Sequence, residues 1–334
     1  MKHILLISTG GTIACTESTH GLTPAINAEK LLTYIPEIKL ICSLTAISIM
    51  NIDSTNMTPE RMGKIAEAIQ HHFHEYDGFV ITHGTDTMAY TSAALSCMMQ
   101  NLSKPVILTG SQIAMELPGT DATKNLSDAI RFACEELSGV YIAFDGILID
   151  GLHAMKVKTK SLDAFKSMNY PVVAEIRNCV ITYFIDQKSS NQNNMQLSVS
   201  TNLCTDVMVL KLFPGMKIDI FDFIKKHYKG IIIESFGIGG VPGDILGTDA
   251  NTNSSMNLIS KIHQLATAGI SVVITTQCLY EGIDLGIYEV GQNLANEYII
   301  SAPPLPTEAL TMKLMWALGN HSDLKDIKDY MEKS

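Results

Sequence analysis

The hydrophobic pattern of the chain alternates between two kinds of segment. Short, unbroken apolar runs are separated by longer stretches in which apolar residues recur at helical spacing. An unbroken apolar run is typical of a parallel strand that is buried on both faces. The first half of the chain predicts strands at residues 3–8, 79–82, 105–110 and 140–144. The second half predicts strands at residues 207–213, 230–236 and 270–276.

Helix signals fall between these strands. Residues 58–73 open with Thr-Pro-Glu, in which Thr58 suits the N-cap and Pro59 suits the first helical position. Further helices are predicted at residues 87–99, 125–137 and 307–318. Because strands and helices alternate along the chain, the pattern predicts an α/β fold with an open sheet.

A polar stretch interrupts this alternation at residues 186–196, which contain almost no apolar residue. Such a composition is typical of a linker. The length of 334 residues also exceeds one ordinary core and fits two domains. We predict a larger N-terminal α/β domain over residues 1–186, with a parallel-rich sheet and helices on both faces. We predict that a linker over residues 187–204 follows. A smaller C-terminal α/β domain then covers residues 205–334.

Composition narrows the class of protein. The net charge is −10 and the chain has no basic run, which disfavours nucleic acid as a partner. No apolar stretch approaches the roughly 18 residues of a membrane span, so no membrane association is expected. The seven cysteines form no CxxC pair, which indicates thiols in a reducing compartment. The opening MKHILLISTGG does not resemble a signal peptide, so a cytoplasmic location is expected.

No metal or cofactor is expected. The histidine-rich segment HHFH at residues 71–74 has no matching set of Cys, Asp or Glu at ligand spacing. We interpret it as the solvated end of a helix.

Three hydroxyl-rich segments follow predicted strands: TGGT at 9–12, THGTDT at 82–87 and TGSQ at 109–112. In open α/β sheets, ligands bind outside the carboxyl ends of the strands. If the three strands are neighbours, four side chains meet in one pocket: those of Thr12, Thr85, Asp86 and Ser111.

This combination of residues suits acyl transfer. A glycine pair lets main-chain N–H groups approach a developing oxyanion, and a threonine hydroxyl becomes a nucleophile when a base accompanies it. A buried lysine can be that base. Two simpler interpretations stay open: TGGT could be an ordinary turn, and Thr85 or Asp86 could cap the helix that starts near Thr87.

The two signature-like segments carry a resemblance to a known family. LISTGGTIA at 6–14 and GFVITHGTDTM at 78–88 resemble the two signatures of the L-asparaginase family, of the bacterial homomeric kind. Residues 51–60 resemble the family's substrate-binding serine loop, and residues 151–167 resemble the segment that carries its catalytic lysine. The similarity continues to residues 307–314 and is greatest to the cytoplasmic, type I branch.

The resemblance implies a role for each matching catalytic position. Thr12 would attack the side-chain amide carbon of asparagine and form a β-aspartyl ester. Thr85, Asp86 and Lys156 would form a proton-handling set. Lys158 and Lys160 lie at alternate positions after Lys156, so only the match to the family segment selects Lys156.

The resemblance also implies a substrate pocket. Ser54 would bind the α-carboxylate of the substrate, and Asp86 would bind its α-ammonium. Asp53 could bind substrate or cap a turn, and both interpretations stay open. The full set of expected substrate-binding residues is Gly11, Asp53, Ser54, Thr55, Gly84 and Ser111.

One feature departs from the family pattern. Many members carry a tyrosine in the mobile loop after TGGT, whereas residues 14–25 contain none, and Leu22 stands where some relatives have it. Thr16, His20 or Thr23 could replace it, or Thr12 could depend wholly on Thr85 and Lys156. The loop itself is short and polar and has the composition of a lid.

The family further implies assembly and regulation. Its members form intimate homodimers, often paired into tetramers, and residues 288–291 would reach a neighbour's active site. In type I relatives the region at 275–282, which here contains Cys278, can contribute to an effector site for asparagine.

The leading hypothesis is hydrolysis of L-asparagine to L-aspartate and ammonia, with weaker action on L-glutamine. One alternative is an ammonia-supplying component of a tRNA-dependent amidotransferase. Such components carry an extra N-terminal domain, whereas this sequence starts at its first predicted strand. Another alternative is a non-catalytic asparagine sensor, against which the joint presence of Thr12, Thr85, Asp86 and Lys156 argues.

Overall fold

A computed structural model describes residues 1–19, 21–185, 196–243 and 257–333. The chain divides into two compact units, Met1–Thr201 and Asn202–Ser334. Half of the predicted linker, residues 187–195, lies outside the described residues. Of its remainder, residues 198–199 form a strand within the first unit. The domain limits of 186 and 205 stay a prediction.

The first unit combines many short strands with four described helices. Its strands are β1 (His3–Gly10), β2 (Cys15–Ser18), β3 (Gly21–Pro24), β4 (Ser43–Ile52), β5 (Gly78–Thr82), β6 (Met99–Gln100), β7 (Pro105–Thr109), β8 (Gly139–Phe144), β9 (Ile147–Asp150), β10 (Ala154–Lys156), β11 (Phe165–Ser167), β12 (Ala174–Arg177), β13 (Val180–Tyr183) and β14 (Ser198–Val199). Its helices are α1 (Ala28–Thr33), α2 (Pro59–His72), α3 (Met88–Met98) and α4 (Ala122–Ala133).

The main sheet of this unit is mixed, with strand order β13-β12-β9-β8-β7-β5-β1-β4. The strands from β8 to β4 run parallel to their neighbours. The strands β9, β12 and β13 continue the sheet in antiparallel pairings. The parallel strands β1, β5, β7 and β8 match the predicted apolar runs, whereas β4 and the antiparallel strands were not predicted from the sequence.

Both faces of the central parallel strands β1, β5 and β7 are buried, as an α/β sheet requires. Alternate residues of β1 point to opposite faces, yet Ile4, Leu5, Leu6 and Ile7 are all fully buried. Helix α4 packs on one face, where Leu126, Ala129 and Ile130 join the same core as Ile4 and Leu6. The predicted α/β class, with helices against the larger sheet, is confirmed.

The helix signals in the sequence are confirmed for α2. Helix α2 begins at Pro59, and Thr58 accepts a hydrogen bond from the Arg61 N–H as its N-cap. Helix α4 starts and ends earlier than the predicted 125–137, because a buried Asp121 precedes its first turn and residues 134–137 form no further helical turn.

The second unit is a smaller α/β fold. Its strands are β15 (Val207–Lys211), β16 (Gly230–Ser235), β17 (Ser271–Thr276) and β18 (Ile299–Ser301). Its described helices are α5 (Ile220–His227), α6 (Leu258–Thr267), α7 (Glu289–Leu294), α8 (Thr307–Asn320) and α9 (Leu324–Met331). The four strands form one parallel sheet in chain order, which confirms the predicted smaller α/β domain.

Candidate active site

The three hydroxyl-rich segments lie side by side at one edge of the main sheet. Strand β5 lies between β1 and β7, and all three strands run parallel. Their carboxyl ends therefore share an edge, as the convergence of Thr12, Thr85 and Ser111 requires. The sheet brings together segments that the sequence separates by about a hundred residues.

Two glycines let the first two segments touch. Gly11 has φ +77°, a conformation that side chains rarely adopt, and a Cβ placed there would lie 2.3 Å from the Gly84 nitrogen. The turn after β1 therefore packs directly against the turn after β5. Thr12 follows Gly11 and begins a single 3-10 turn, Thr12–Ala14, in which its side chain is half-buried.

The serine loop joins the same contact. Ser54 follows β4, is 3% exposed, and its Oγ lies 2.5 Å from where a Cβ on Gly84 would stand. The Thr87 hydroxyl donates to the Ser54 carbonyl oxygen at 2.8 Å and holds this loop in place. Three chain segments thus meet at Gly84, and any side chain there would close the gap between them.

Asp53 and Thr55 have a local role in this loop. The Asp53 carboxylate accepts hydrogen bonds from the Thr55 N–H and from the Thr55 hydroxyl, both at 2.8 Å. The structure shows Asp53 in a turn-capping contact, and its role in substrate binding stays a prediction. Both residues flank the buried Ser54.

Lys156 enters the site from a hairpin. It is the last residue of β10, which pairs with β11 so that Lys156 lies opposite Phe165. Its Nζ donates to the Thr85 hydroxyl oxygen at 2.7 Å and to the Asp86 carboxylate at 2.6 Å. The Lys156 side chain is 17% exposed and that of Asp86 is 57% exposed, so the cation is sheltered while the carboxylate stays accessible.

The structure separates Lys156 from the two lysines that follow it. Lys158 forms an ion pair with Asp163, and Lys160 is exposed. Neither is placed against Thr85 among the described hydrogen bonds. The helix-capping alternative for Asp86 is not observed either: Thr87 is the N-cap residue of α3, without a side-chain capping bond.

The Thr85 hydroxyl is held on two sides. It is 5% exposed, accepts the bond from Lys156 and donates to Gln112 Oε1 at 3.4 Å. A hydroxyl that accepts from an ammonium group and donates to an amide oxygen has a fixed orientation. Lys156, Thr85 and Asp86 can therefore pass or hold a proton next to a bound substrate.

Three residues around the β7 end were not predicted from the sequence: Gln112, Asp121 and Asn125. The buried Asp121 carboxylate accepts from the main-chain N–H groups of Gln112 and Ile113 and from the Asn125 amide, at 3.0 to 3.1 Å. Asn125 also donates to the Gly110 carbonyl oxygen at 3.0 Å. These bonds fix the loop that presents Gln112. Its only sequence signal is the polar TGSQ segment.

Ser111 occupies the centre of this loop. It is 1% exposed, and among the described residues no group accepts from or donates to its hydroxyl. A buried hydroxyl usually has a partner, so this oxygen is available to one that enters the site.

His83 directly follows β5 and contacts the turn that comes after this strand. The sequence did not predict a role for His83 in the site. It is fully buried, and burial lowers its pKa to about 4. Its Nδ1 lies 2.7 Å from the Gly84 carbonyl oxygen and its Nε2 lies 2.9 Å from the Thr91 hydroxyl. A carbonyl can only accept, so neutral His83 donates from Nδ1 and accepts from Thr91 at Nε2.

The predicted lid is a β-hairpin. Strands β2 and β3 pair antiparallel, with Thr16 opposite Thr23 and Glu17 opposite Leu22. Leu22 is 48% exposed, and His20 lies outside the described residues. The choice among Thr16, His20 and Thr23 as a replacement for the loop tyrosine stays open.

The described part of the chain holds neither a metal cluster nor a membrane span. No group of three or more His, Cys, Asp or Glu in the described ranges could hold a metal ion. None of the described helices is long and apolar enough to cross a membrane.

The chain matches two family models that together span most of its length. The model described as "Asparaginase, N-terminal" matches residues 3–189, and "Glutaminase/Asparaginase C-terminal domain" matches residues 206–331. The site built from Thr12, Ser54, Thr85 and Lys156 lies wholly within the first match.

Two L-asparaginases are similar to nearly the whole chain. The L-asparaginase of Thermococcus kodakarensis is 36% identical over 333 residues, covering 99% of this chain and 97% of its own. The solved structure of the thermostable L-asparaginase from Thermococcus kodakarensis superposes with a TM-score of 0.90 at 35% identity, covering 99% of this chain and 97% of that one. The solved structure of L-asparaginase I from Vibrio cholerae superposes with a TM-score of 0.87 at 30% identity. The match covers 100% of this chain and 97% of that one.

A further relative has a different name. A glutamyl-tRNA(Gln) amidotransferase component of Pyrococcus abyssi is 33% identical over 342 residues, which cover 99% of this chain and 75% of that protein. Because both of these sequence relatives are archaeal, the expected bacterial subgroup is not supported. The chain belongs to the asparaginase family of amidohydrolases.

Proposed function

We propose that this chain is an L-asparaginase that converts L-asparagine and water to L-aspartate and ammonia. The observation that carries the proposal is the placement of the Lys156 Nζ, 2.7 Å from the Thr85 hydroxyl and 2.6 Å from the Asp86 carboxylate. Lys156, Thr85 and Asp86 adjoin the contact between Gly11 and Gly84, because Thr85 directly follows Gly84. Thr12 directly follows Gly11 on the other side of this contact. A nucleophile, a proton-handling set and main-chain donors are thus available at one sheet edge.

The proposed reaction has two steps. In the first, the Thr12 hydroxyl attacks the side-chain amide carbon, and ammonia leaves as a β-aspartyl ester forms on Thr12. In the second, a water molecule activated by the Thr85–Lys156 pair attacks the ester and releases aspartate. The main-chain N–H groups of Thr12 and Thr85 stabilise the oxyanion in both steps.

The substrate backbone has matching partners. The Asp86 carboxylate retains an exposed side and would bind the α-ammonium, while Ser54 would bind the α-carboxylate. Gly11, Gly84 and Ser111 would line the remainder of the pocket. Glutamine differs from asparagine by one methylene, which a pocket distinguishes by only about 1–3 kcal/mol, so weaker glutaminase activity is part of the proposal.

A second function is the supply of ammonia to a tRNA-dependent amidotransferase. The similarity to the Pyrococcus abyssi amidotransferase component favours it, because that similarity covers 99% of this chain. The same site would serve, but the released ammonia would be used by a partner protein.

Ammonia release by the purified chain separates these functions. Rates are measured with free L-asparagine and L-glutamine over a range of concentrations, with and without glutamyl-charged tRNA. The asparaginase proposal predicts turnover of free asparagine that is faster than that of glutamine and unaffected by tRNA. A requirement for charged tRNA would favour the amidotransferase function. Binding of asparagine without ammonia release would favour a non-catalytic sensor.

We further propose a cytoplasmic homodimer, with a tetramer as a further assembly. The support is a set of exposed apolar side chains in the second unit, among them Tyr280, Ile287 and Tyr288, which are 55–63% exposed. Exposed apolar patches mark interaction surfaces. Light scattering coupled to size exclusion tests the proposal: a monomer over the working concentration range contradicts it.

A further inference from the structure

A buried histidine supports one peptide group of the candidate active site. His83 directly follows β5 and is fully buried. Its Nδ1 lies 2.7 Å from the Gly84 carbonyl oxygen, and its Nε2 lies 2.9 Å from the hydroxyl of Thr91 in α3. The ring therefore joins the Gly84–Thr85 peptide group to helix α3.

The two contacts leave one arrangement of protons for the His83 ring. Burial lowers the pKa of His83 to about 4, so the ring is neutral near pH 7 and carries a single N–H. A carbonyl oxygen can only accept, so the proton is on Nδ1 and is donated to the Gly84 oxygen. The unprotonated Nε2 accepts from the Thr91 hydroxyl. Thr91 is itself fully buried and keeps this tautomer in place.

The direction of the Gly84 carbonyl sets the direction of the Thr85 N–H. The described residues contain no cis peptide bond, and in a trans peptide group the C=O and the N–H point in opposite directions. Because the Gly84 oxygen faces the His83 ring, the Thr85 N–H points away from that ring. Among the described hydrogen bonds, this N–H has no acceptor in the protein. A buried main-chain donor usually has a partner, so this one is available to a group that enters the site.

The turn after β1 is built in the same way. The Gly11 carbonyl oxygen accepts from the Ala14 N–H at 3.0 Å and from the Cys15 thiol at 3.4 Å. The Thr12 N–H belongs to the same peptide group and also has no acceptor among the described hydrogen bonds. This turn packs directly against Gly84. Two neighbouring peptide groups thus have bound carbonyls and unpaired N–H groups, as a pair of oxyanion donors requires.

We propose that His83 is a positioning residue, which orients the Gly84–Thr85 peptide group so that the Thr85 N–H donates to the oxyanion of the reacting amide. The inference rests on the proposed amidohydrolase function. His83 is fully buried and acts only through the peptide group that it holds. Its hydrogen bond fixes the direction of the N–H, and it polarises the peptide group, which strengthens the N–H as a donor.

The expected effect is moderate because His83 acts through another group. Removal of an oxyanion donor itself lowers kcat by about 10²–10³-fold. Loss of the His83 ring leaves the donor in place without its support, so we expect a smaller loss in kcat, of roughly 5- to 20-fold. The oxyanion develops only in the transition state, so KM should stay within about threefold of the parental value.

Three variants test this role through ammonia release from L-asparagine. His83→Leu fills the space of the ring but removes the donor, so kcat should fall as stated above. His83→Asn keeps a side-chain N–H near the position of Nδ1 and should recover most of the parental kcat. Thr91→Val is the matched control, because it disturbs the same buried cluster but leaves the donor to Gly84 intact; it should keep most of the parental kcat. Thermal melting shows which variants are folded.

The outcomes separate the role of His83 from the proposed function. A folded His83→Leu protein with a kcat within about twofold of the parental value overturns the role of His83. Equal losses in His83→Leu and Thr91→Val also overturn it, because they would mark a merely structural contribution. A parent protein that releases no ammonia from asparagine overturns the proposed function itself.

The tautomer of His83 tests the proposal in the parent protein, without an activity assay and without a variant that must fold. Long-range ¹H–¹⁵N NMR spectra show which nitrogen of a neutral imidazole carries the proton, and comparison with His83→Asn identifies the signals of this ring. We expect the proton on Nδ1 at pH 7. A proton on Nε2 overturns the proposal, because the ring could then not donate to the Gly84 oxygen.

Discussion

Replacement of Lys156 by methionine separates the chemistry of the site from its stability. Methionine keeps the apolar stem, which is largely buried, and removes the ammonium group that donates to Thr85 at 2.7 Å and to Asp86 at 2.6 Å. The Thr85 hydroxyl is then left with only the longer bond to Gln112, at 3.4 Å. The variant therefore lacks the proton-handling group while its packing changes little.

The two expected effects differ in size. Loss of a positioned acid–base group lowers kcat by roughly 10²–10⁴-fold, or about 3–5 kcal/mol of transition-state stabilisation. Loss of the ion pair to Asp86, which is 57% exposed, lowers the free energy of unfolding by about 1 kcal/mol or less. Lys156→Met should thus be nearly inactive and nearly as stable as the parent.

The assay is ammonia release from L-asparagine, with thermal and denaturant unfolding measured on the same preparations. Lys158→Met is the matched control, because Lys158 lies two residues away and pairs with Asp163 outside the site. The control should keep most of the parental rate. Equal losses in both variants, or retention by Lys156→Met of more than about a tenth of the parental rate, would refute the role given to Lys156.

Three further predictions concern the supports of the site. Gly11→Ala should lose both activity and thermal stability, since its Cβ would collide with Gly84; an unchanged melting curve contradicts the contact. Gln112→Leu should lower kcat more than it raises KM, because it removes the acceptor of the Thr85 hydroxyl; unchanged kinetics contradict it. Folding should lose about 3 kcal/mol between pH 6.5 and 4, because buried His83 has its pKa lowered to about 4 and the unfolded state binds the proton first. His83→Asn should flatten that dependence in urea titrations, and an equal slope in both proteins contradicts it.

The parallel strands could be predicted because burial on both faces leaves an unbroken apolar run. β5 and β7 are fully buried along their length, and their limits match the predicted runs closely. Strand β4 was not predicted: it forms an edge of the sheet, and its residues are only partly buried or exposed. Its sequence therefore lacks the continuous signal that the central strands carry.

The residues of the candidate site also differ in whether the sequence alone could predict them. Thr12, Thr85 and Asp86 could be predicted because glycines and hydroxyls cluster where buried strands end. Lys156 could be selected only by resemblance, since the β10–β11 hairpin and not the local sequence separates it from Lys158. The support from Asp121 depends on a carboxylate that reaches back nine residues to the Gln112 N–H, and no local pattern encodes that contact.

The central claim is that the Thr12 hydroxyl is the nucleophile. Its most direct test is the rate of ammonia release from L-asparagine by Thr12→Ala beside Thr12→Ser, with both variants shown to be folded. The proposed mechanism predicts that Thr12→Ala loses about three orders of magnitude or more in kcat, whereas Thr12→Ser, which keeps a hydroxyl, retains a measurable rate. If the kcat of Thr12→Ala lies within about tenfold of the parental kcat, the claim is contradicted, because another group must then be the nucleophile.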